Sequence, residues 1–209
     1  MANPRIVYRR GLVPGVAAVE YQGLPKELVH HLKVLGPATV ARLMATHIVE
    51  AHCSLGAAVG PVGGAGAVAT DESIERDGAR GDLLRTQVYL VPVPSRKEMT
   101  RIRGFVPSVL LAKKLAEGLG EVGVPARVKH IAKLSRSVRD QAGLGRQDRE
   151  ANLSGAMQAS APLGEAEKTA VIWMVDDVVT TGASLRELQR CLGAAGWNVE
   201  RFVTFAETL

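Results

Sequence analysis

Two adjacent carboxylates, Asp176 and Asp177, are followed by Thr180, Thr181, Gly182, Ala183 and Ser184. Paired acids suit sugar hydroxyls and a divalent cation, because ionised carboxylates accept strong hydrogen bonds and supply hard oxygen ligands. They cannot themselves hold a phosphate. The residues after them can, since three hydroxyl side chains and the free amides of a helix start form a cup for a dianionic phosphate at the positive end of the helix dipole. Acids followed by an anion cup suit a sugar phosphate.

The flanking sequence positions both parts. Residues 170–175 are a short apolar run with β-branched members, the pattern of a buried strand in a parallel sheet. Asp176 and Asp177 fall at its carboxyl end, where open α/β sheets bind ligands. Beyond Gly182, Leu185, Leu188, Leu192 and Ala195 recur at spacings of three and four, which predicts an amphipathic helix. Ser184 and Glu187 fit a capping box and Gly196 fits a C-terminal cap, so the helix is expected to begin near 182–185 and stop at about 195.

Two further segments carry charge suited to an anionic ligand. An apolar strand over 88–93 is closed by Pro92 and Pro94, and residues 95–104 then hold Arg96, Lys97, Arg101 and Arg103 against Glu98. Such a loop, with Ser95, Arg96, Arg101 and Arg103 as the candidates, is fit to hold a diphosphate. Residues 133–157 carry Arg136, Arg139, Arg146 and Arg149 against Asp140, Asp148 and Glu150. A polar surface loop is one reading, but a loop of about 20 residues inside a compact domain more often serves as a lid or binding element.

Composition bounds the remainder. The 209 residues accommodate one substantial domain, with or without a small appendage. Hydrophobic residues make up 46% but aromatics only 4%, so aliphatic side chains and alanine must pack the core. The net charge of +5 favours phosphorylated ligands and leaves nucleic acid contact open. No basic block or regular aromatic interleaving is present, so a solvated surface is preferred to a nucleic acid groove. Cys53 and Cys191 lack C-x-x-C spacing, which predicts reduced thiols. His47, His52 and Cys53 do not share one helical face and are assigned structural or solvent roles. No apolar run reaches the roughly 18 residues of a spanning helix and no secretory signal is read, so a cytoplasmic protein without a membrane partner is expected.

Three regions separate along the chain. Residues 1–55 form an N-terminal helical or hood segment, with a β-like start at 17–21 and helices at 26–34 and 38–51 broken by Gly36 and Pro37. Residues 56–87 are rich in glycine and alanine and then charged, which predicts a flexible insertion. Residues 88–209 alternate β and α patterns: a helix with Leu110, Leu111, Leu115 and Leu119 on its apolar face, and strands at 126–132 and 199–205. This alternation predicts an α/β fold with a mainly parallel sheet flanked by helices.

Residues 171–184 resemble the phosphoribosyl diphosphate (PRPP) signature of type I phosphoribosyltransferases. The resemblance implies that fold, with Asp176 and Asp177 holding the ribose hydroxyls, partly through magnesium, and residues 180–184 holding the 5-phosphate. Further blocks resemble the ComF family of competence-associated phosphoribosyltransferase-like proteins. They are Val91-Pro92-Val93-Pro94 with Arg101-Ile102-Arg103-Gly104-Phe105, then Leu134, Arg136, Gln141, Leu144, Arg149, Asn152, Gly155 and Ala156. Tyr21-Gln22-Gly23 with Leu28, Val29, Leu32, Lys33 and Gly36 is similar to that family's opening segment. Outside 56–87 the resemblance covers most of the chain, and it implies that Arg136, Gln141, Arg149 and Asn152 belong to a hood loop. Two departures stand out. Residues 1–20 lack the cysteines of the family's frequent zinc element, so no structural zinc is expected, and Val106-Pro107 stands where many members have Asn-Gln.

The implied reaction transfers the phosphoribosyl group of PRPP to an unidentified nitrogenous acceptor. Arg96, Arg101 and Arg103, with magnesium, would stabilise the departing diphosphate while the 133–157 hood excludes water. Purine-salvage relatives carry an acidic base where this chain has Thr180, and the chain ends at Leu209, so the N-terminal helices would supply any acceptor hood. Trp197 and Phe205 are assigned to core packing in preference to base stacking. The alternative is a PRPP- or nucleotide-binding module that lacks turnover and acts in competence or DNA uptake. A DNA-binding protein rests on net charge alone, and self-association stays open.

Overall fold

The computed structural model describes residues 3–55, 87–136 and 152–208. The chain opens with β1 (Arg5–Val7), β2 (Gly15–Glu20), α1 (Leu24–Leu35) and α2 (Ala38–Leu55). Then come β3 (Val88–Pro92), α3 (Lys97–Arg103), α4 (Pro107–Glu121), β4 (Ala126–Val128), β5 (Ala132–Leu134) and β6 (Met157–Ala159). The last elements are α5 (Glu165–Lys168), β7 (Val171–Val179), α6 (Ala183–Ala194) and β8 (Asn198–Glu207).

Six strands form one sheet in the order β1-β2-β8-β7-β3-β4. All neighbours are parallel except β1, which pairs antiparallel with β2 at the edge. The expected α/β class with a mainly parallel, helix-flanked sheet is therefore present. Alternating side chains of β7 explain the layers. Trp173 and Val175 enter one core with residues of α1, α2 and α4, whereas Ile172 and Met174 enter the other with Leu185, Leu188 and Leu192 of α6. Covering both faces is what lets residues 172–175 be continuously apolar and buried.

The strand order also creates a crevice. β3 leads through α4 to β4 on one side, and β7 leads through α6 to β8 on the other, so these neighbours diverge beyond their carboxyl ends. The Val93 N–H donates to the Val175 carbonyl at 2.9 Å close to where the two chains part.

Several elements differ from the expectations. The expected 126–132 strand divides: β4 stays in the main sheet, while β5 pairs antiparallel with β6 in a separate ribbon. The cationic 95–104 stretch is not a loop throughout, because Lys97–Arg103 winds into α3 and ends at Gly104 in the left-handed region (φ 77°). β1 adds a strand too short for its period to register in the sequence. Residues 1–55 contribute β1 and β2 to the main sheet and α2 to the larger core. Trp197 and Phe205 are buried in the two cores, as the packing assignment expects. Cys53 is exposed and Cys191 buried, both as free thiols. No helix among the described residues is long and apolar enough to cross a membrane. Residues 56–86 of the insertion and 137–151 of the hood lie outside the described residues.

Candidate functional site

β7 runs on to Val179, so Asp176 and Asp177 lie within its last turn of pleat and not beyond it. Successive strand residues face opposite sides, and the two acids accordingly have different surroundings. Asp176 lines a small cavity of about 30 Å³ with Val178 and the residues from Val179 to Leu185. Asp177 is only 5% exposed and places Oδ1 3.1 Å from Nζ of Lys33, from the last turn of α1. The Asp177 N–H donates to Asp176 Oδ1 at 2.9 Å, which fixes the first carboxylate against the backbone of the second.

This setting perturbs Asp176 and Lys33. Burial pushes the Asp176 carboxyl up to about 7, with the Asp177 charge adding to the rise while Lys33 and the Asp177 amide oppose it. Burial also disfavours the Lys33 ammonium, but Asp177 and Asp176 outweigh it and hold that group above the usual lysine range. One acid near neutrality and one locked to an ammonium make an asymmetric pair.

The anion cup follows directly. Thr180 and Thr181 turn the chain, and Gly182, in the left-handed region at φ 78°, starts α6. A Cβ at Gly182 would stand 3.3 Å from Nη1 of Arg186 and 3.5 Å from Leu12, so it is the left-handed conformation, more than space, that calls for glycine. The Ala183 N–H donates to Thr181 Oγ1 at 3.3 Å. Ser184 lies inside the first turn, beside amides that have no partner within the helix.

The capping box expected from Ser184 and Glu187 is absent, because the N-cap is Gly182, which has no side chain to cap with. Glu187 is instead buried, accepts the Met157 N–H at 2.9 Å and pairs with Arg190 at 2.8 Å. Burial alone would raise its carboxyl, but Arg190 and the Met157 amide prevail and hold it below the usual range. Glu187 thus fastens β6 to α6. Gly196 follows the C-cap Ala195, in keeping with its expected role as terminator.

The described ends of the expected hood segment pack on the same helix. Arg136 Nη2 donates to the carbonyls of Asn152 at 3.0 Å and Ser154 at 2.8 Å, and buried Leu153 and Ala156 pack with Ala183. Arg136 and Asn152 are therefore brought together, whereas Gln141 and Arg149 lie outside the described residues.

Across the crevice, a cavity of about 460 Å³ opens beyond β3. Ser95, Lys97, His130, Lys133, Ser135 and Gln158 give it polar walls, and Pro92, Val93, Pro94, Val106 and Val109 give it apolar ones. Of the four diphosphate candidates, only Ser95 lines it. Arg96 caps α3, Arg101 is exposed and Arg103 is half-buried on that helix, so the helical winding spreads the cations apart.

Lys33 and Arg9 are site residues that the motif alone does not indicate. The Arg9 side chain donates from Nε to the Thr180 carbonyl at 3.4 Å and from Nη2 to the Thr208 carbonyl at 3.1 Å, and pairs with buried Glu207 at 3.4 Å. Arg186 Nη1 donates to the Arg10 carbonyl at 3.4 Å, so the 8–13 segment lies against the cup. Lys33 stands in the opening segment that resembles the ComF family but has no role assigned there, and Arg9 has no local pattern that would have assigned it.

The donor set fits magnesium held jointly with a ligand. Two carboxylates supply hard oxygens and, although they leave the strand on different sides, both act on the Lys33 ammonium; no group of three or more His, Cys, Asp or Glu side chains suited to a metal occurs among the described residues. Magnesium is commonly bound by one or two carboxylates together with substrate phosphates and water.

No family model matches the chain. Over 121 residues it is 31% identical to Competence protein F of Haemophilus influenzae, a match that covers 58% of this chain and 51% of that protein. The chain thus spans about half the length of that relative. The likeness supports a relationship with the ComF family.

Proposed function

We propose that this chain has the type I phosphoribosyltransferase fold and is a PRPP-binding transferase of the ComF type. It passes the phosphoribosyl group to a nitrogenous acceptor and releases diphosphate. One observation carries the reading: acids, hydroxyls and helix start converge at the carboxyl end of β7, beside the crevice where β3 and β7 part.

In this reading the amides and hydroxyls of residues 180–184 hold the 5-phosphate, and Asp176 accepts a hydrogen bond from a ribose hydroxyl. The bond from the anomeric carbon to diphosphate breaks, so positive charge develops on the sugar and negative charge on the leaving group. When bound by Asp176, Asp177 and ligand oxygens, magnesium would supply neutralisation of that leaving charge. Ser95 and Lys97, in the wall of the larger cavity, are the near groups for the diphosphate. The β5–β6 ribbon, fastened through Arg136 and Glu187, carries the hood that excludes water.

A second reading, PRPP or nucleotide binding without turnover in competence, has its own support. Thr180 is a neutral hydroxyl, a poor general base near pH 7, and the relative's name is Competence protein F. Incubation with PRPP, magnesium and a panel of nucleobases and amines separates the two. Diphosphate release stimulated by one acceptor establishes transfer, binding without stimulated release selects the second reading, and absence of PRPP binding ends both.

A further inference from the structure

We infer that Lys33 is a built-in cation of the acid site, which holds Asp177 in the free chain and which a divalent cation must displace. The inference rests on the proposed reading of Asp176 and Asp177 as the ribose and magnesium site. It assigns to α1 a part in setting cation affinity.

Geometry supplies the first step. Nζ of Lys33 stands 3.1 Å from Asp177 Oδ1, with the carboxylate side chain 8% exposed and the lysine 38%. A carboxylate this enclosed is strongly destabilising when stripped of its partner. Lys33 therefore leaves Asp177 only when another positive charge arrives. The lysine's own exposure and its flexible four-carbon stem give it a way out.

The position of α1 supplies the second step. Its C-cap, Gly36, has φ 60°, and a Cβ there would meet the Phe105 ring at 2.5 Å. The end of α1 is thus seated closely on the turn between α3 and α4, which keeps Lys33 aimed at the acids. The Lys33 ammonium offsets the Asp177 charge, so a cation that binds Asp177 must compete with it.

Binding of manganese alone to the full chain, read from the paramagnetic signal of the free ion, tests this directly. Lys33→Met is expected to bind about tenfold more tightly than the unaltered chain, Lys33→Arg to resemble the unaltered chain, and Asp177→Asn added to Lys33→Met to erase the gain. Equal affinity of Lys33→Met and the unaltered chain would overturn the inference. A measurement without substitution guards against a variant that does not fold. Saturating manganese should raise acetylation of Lys33 by about threefold, with Lys26 as the unaffected reference, whereas unchanged labelling overturns the proposal. PRPP affinity measured in parallel separates the two levels: intact magnesium-dependent binding with no Lys33 effect sinks only this inference, and its loss in the unaltered chain sinks the site reading as well.

Discussion

The carboxyl end of β7 turns through Thr180, Thr181 and Gly182 into a twelve-residue helix whose first residues line a cavity with Asp176. The carboxyl end of β3 passes through Pro94, Ser95 and the N-cap Arg96 into a seven-residue helix that carries Arg101 and Arg103. Backbone geometry builds the first arrangement, so its donors are in place before any ligand arrives. Long side chains must converge to complete the second, and their ordering opposes binding. Preorganisation thus differs between the ends of two neighbouring strands.

The largest effect is expected from breaking the backbone-built side. Gly182→Val forces a branched residue into φ 78°, which costs about 1–2 kcal/mol, and drives it toward Leu12 and Arg186. PRPP affinity, measured by calorimetry, should fall by more than about a hundredfold as the cup distorts. Retained affinity would show that the cup is not the phosphate site.

Next in size is the fastening between α6 and the ribbon. Glu187→Ala strands the buried Met157 N–H and should lower stability to urea by about 1–3 kcal/mol, with Glu187→Gln less damaging. An unaltered urea midpoint would mean that this bond does not anchor the hood.

The side-chain-built end separates by position. Lys97→Ala is expected to weaken PRPP or diphosphate binding by about tenfold, and Arg101→Ala by no more than about twofold, because Lys97 lines the cavity and Arg101 does not. The reverse ranking would show that α3 unwinds to bring the arginines inward.

The smallest expected effect is one of pH. Asp176 is raised from 3.8 to about 7 in the folded chain, so its contribution to stability is full below about pH 4 and is lost as pH rises through 7. The unaltered chain should therefore lose melting temperature relative to Asp176→Asn over that interval. PRPP affinity with magnesium should rise several-fold from about pH 6 to about pH 8, as the carboxyl gives up its proton. A flat difference between the two chains would remove the asymmetry assigned to the acids.

The β7–α6 unit was legible because its information is local: an apolar run, two acids, a glycine and a helical period lie within one short stretch. The spacing of Ser184 and Glu187 misled for a tertiary reason, since the Met157 amide and Arg190 claim the carboxylate that a capping box would use. The 126–132 run divides because the Lys129 N–H still reaches the Leu90 carbonyl, while Ala132 has already joined Ala159 in the ribbon. The pairing of Lys33 with Asp177 joins segments from opposite ends of the chain, and no local pattern reports it. Charged residues of β8 were also opaque. Arg201 is fully buried, ion-paired to Glu200 and stacked 4.9 Å above the Trp173 ring, where alternation alone would not have put a guanidinium. His52 lies against the same ring at 4.7 Å, and burial with the Arg201 charge lowers its imidazole to about 4, a structural neutral histidine.

Calorimetric titration with PRPP, with and without magnesium, beside an Asp176→Asn/Asp177→Asn variant tests the central claim most directly. The account predicts magnesium-dependent binding by the unaltered chain and its loss in the variant. Equal binding by both, or binding indifferent to magnesium, would contradict the assignment of the acid pair to the ribose and its metal.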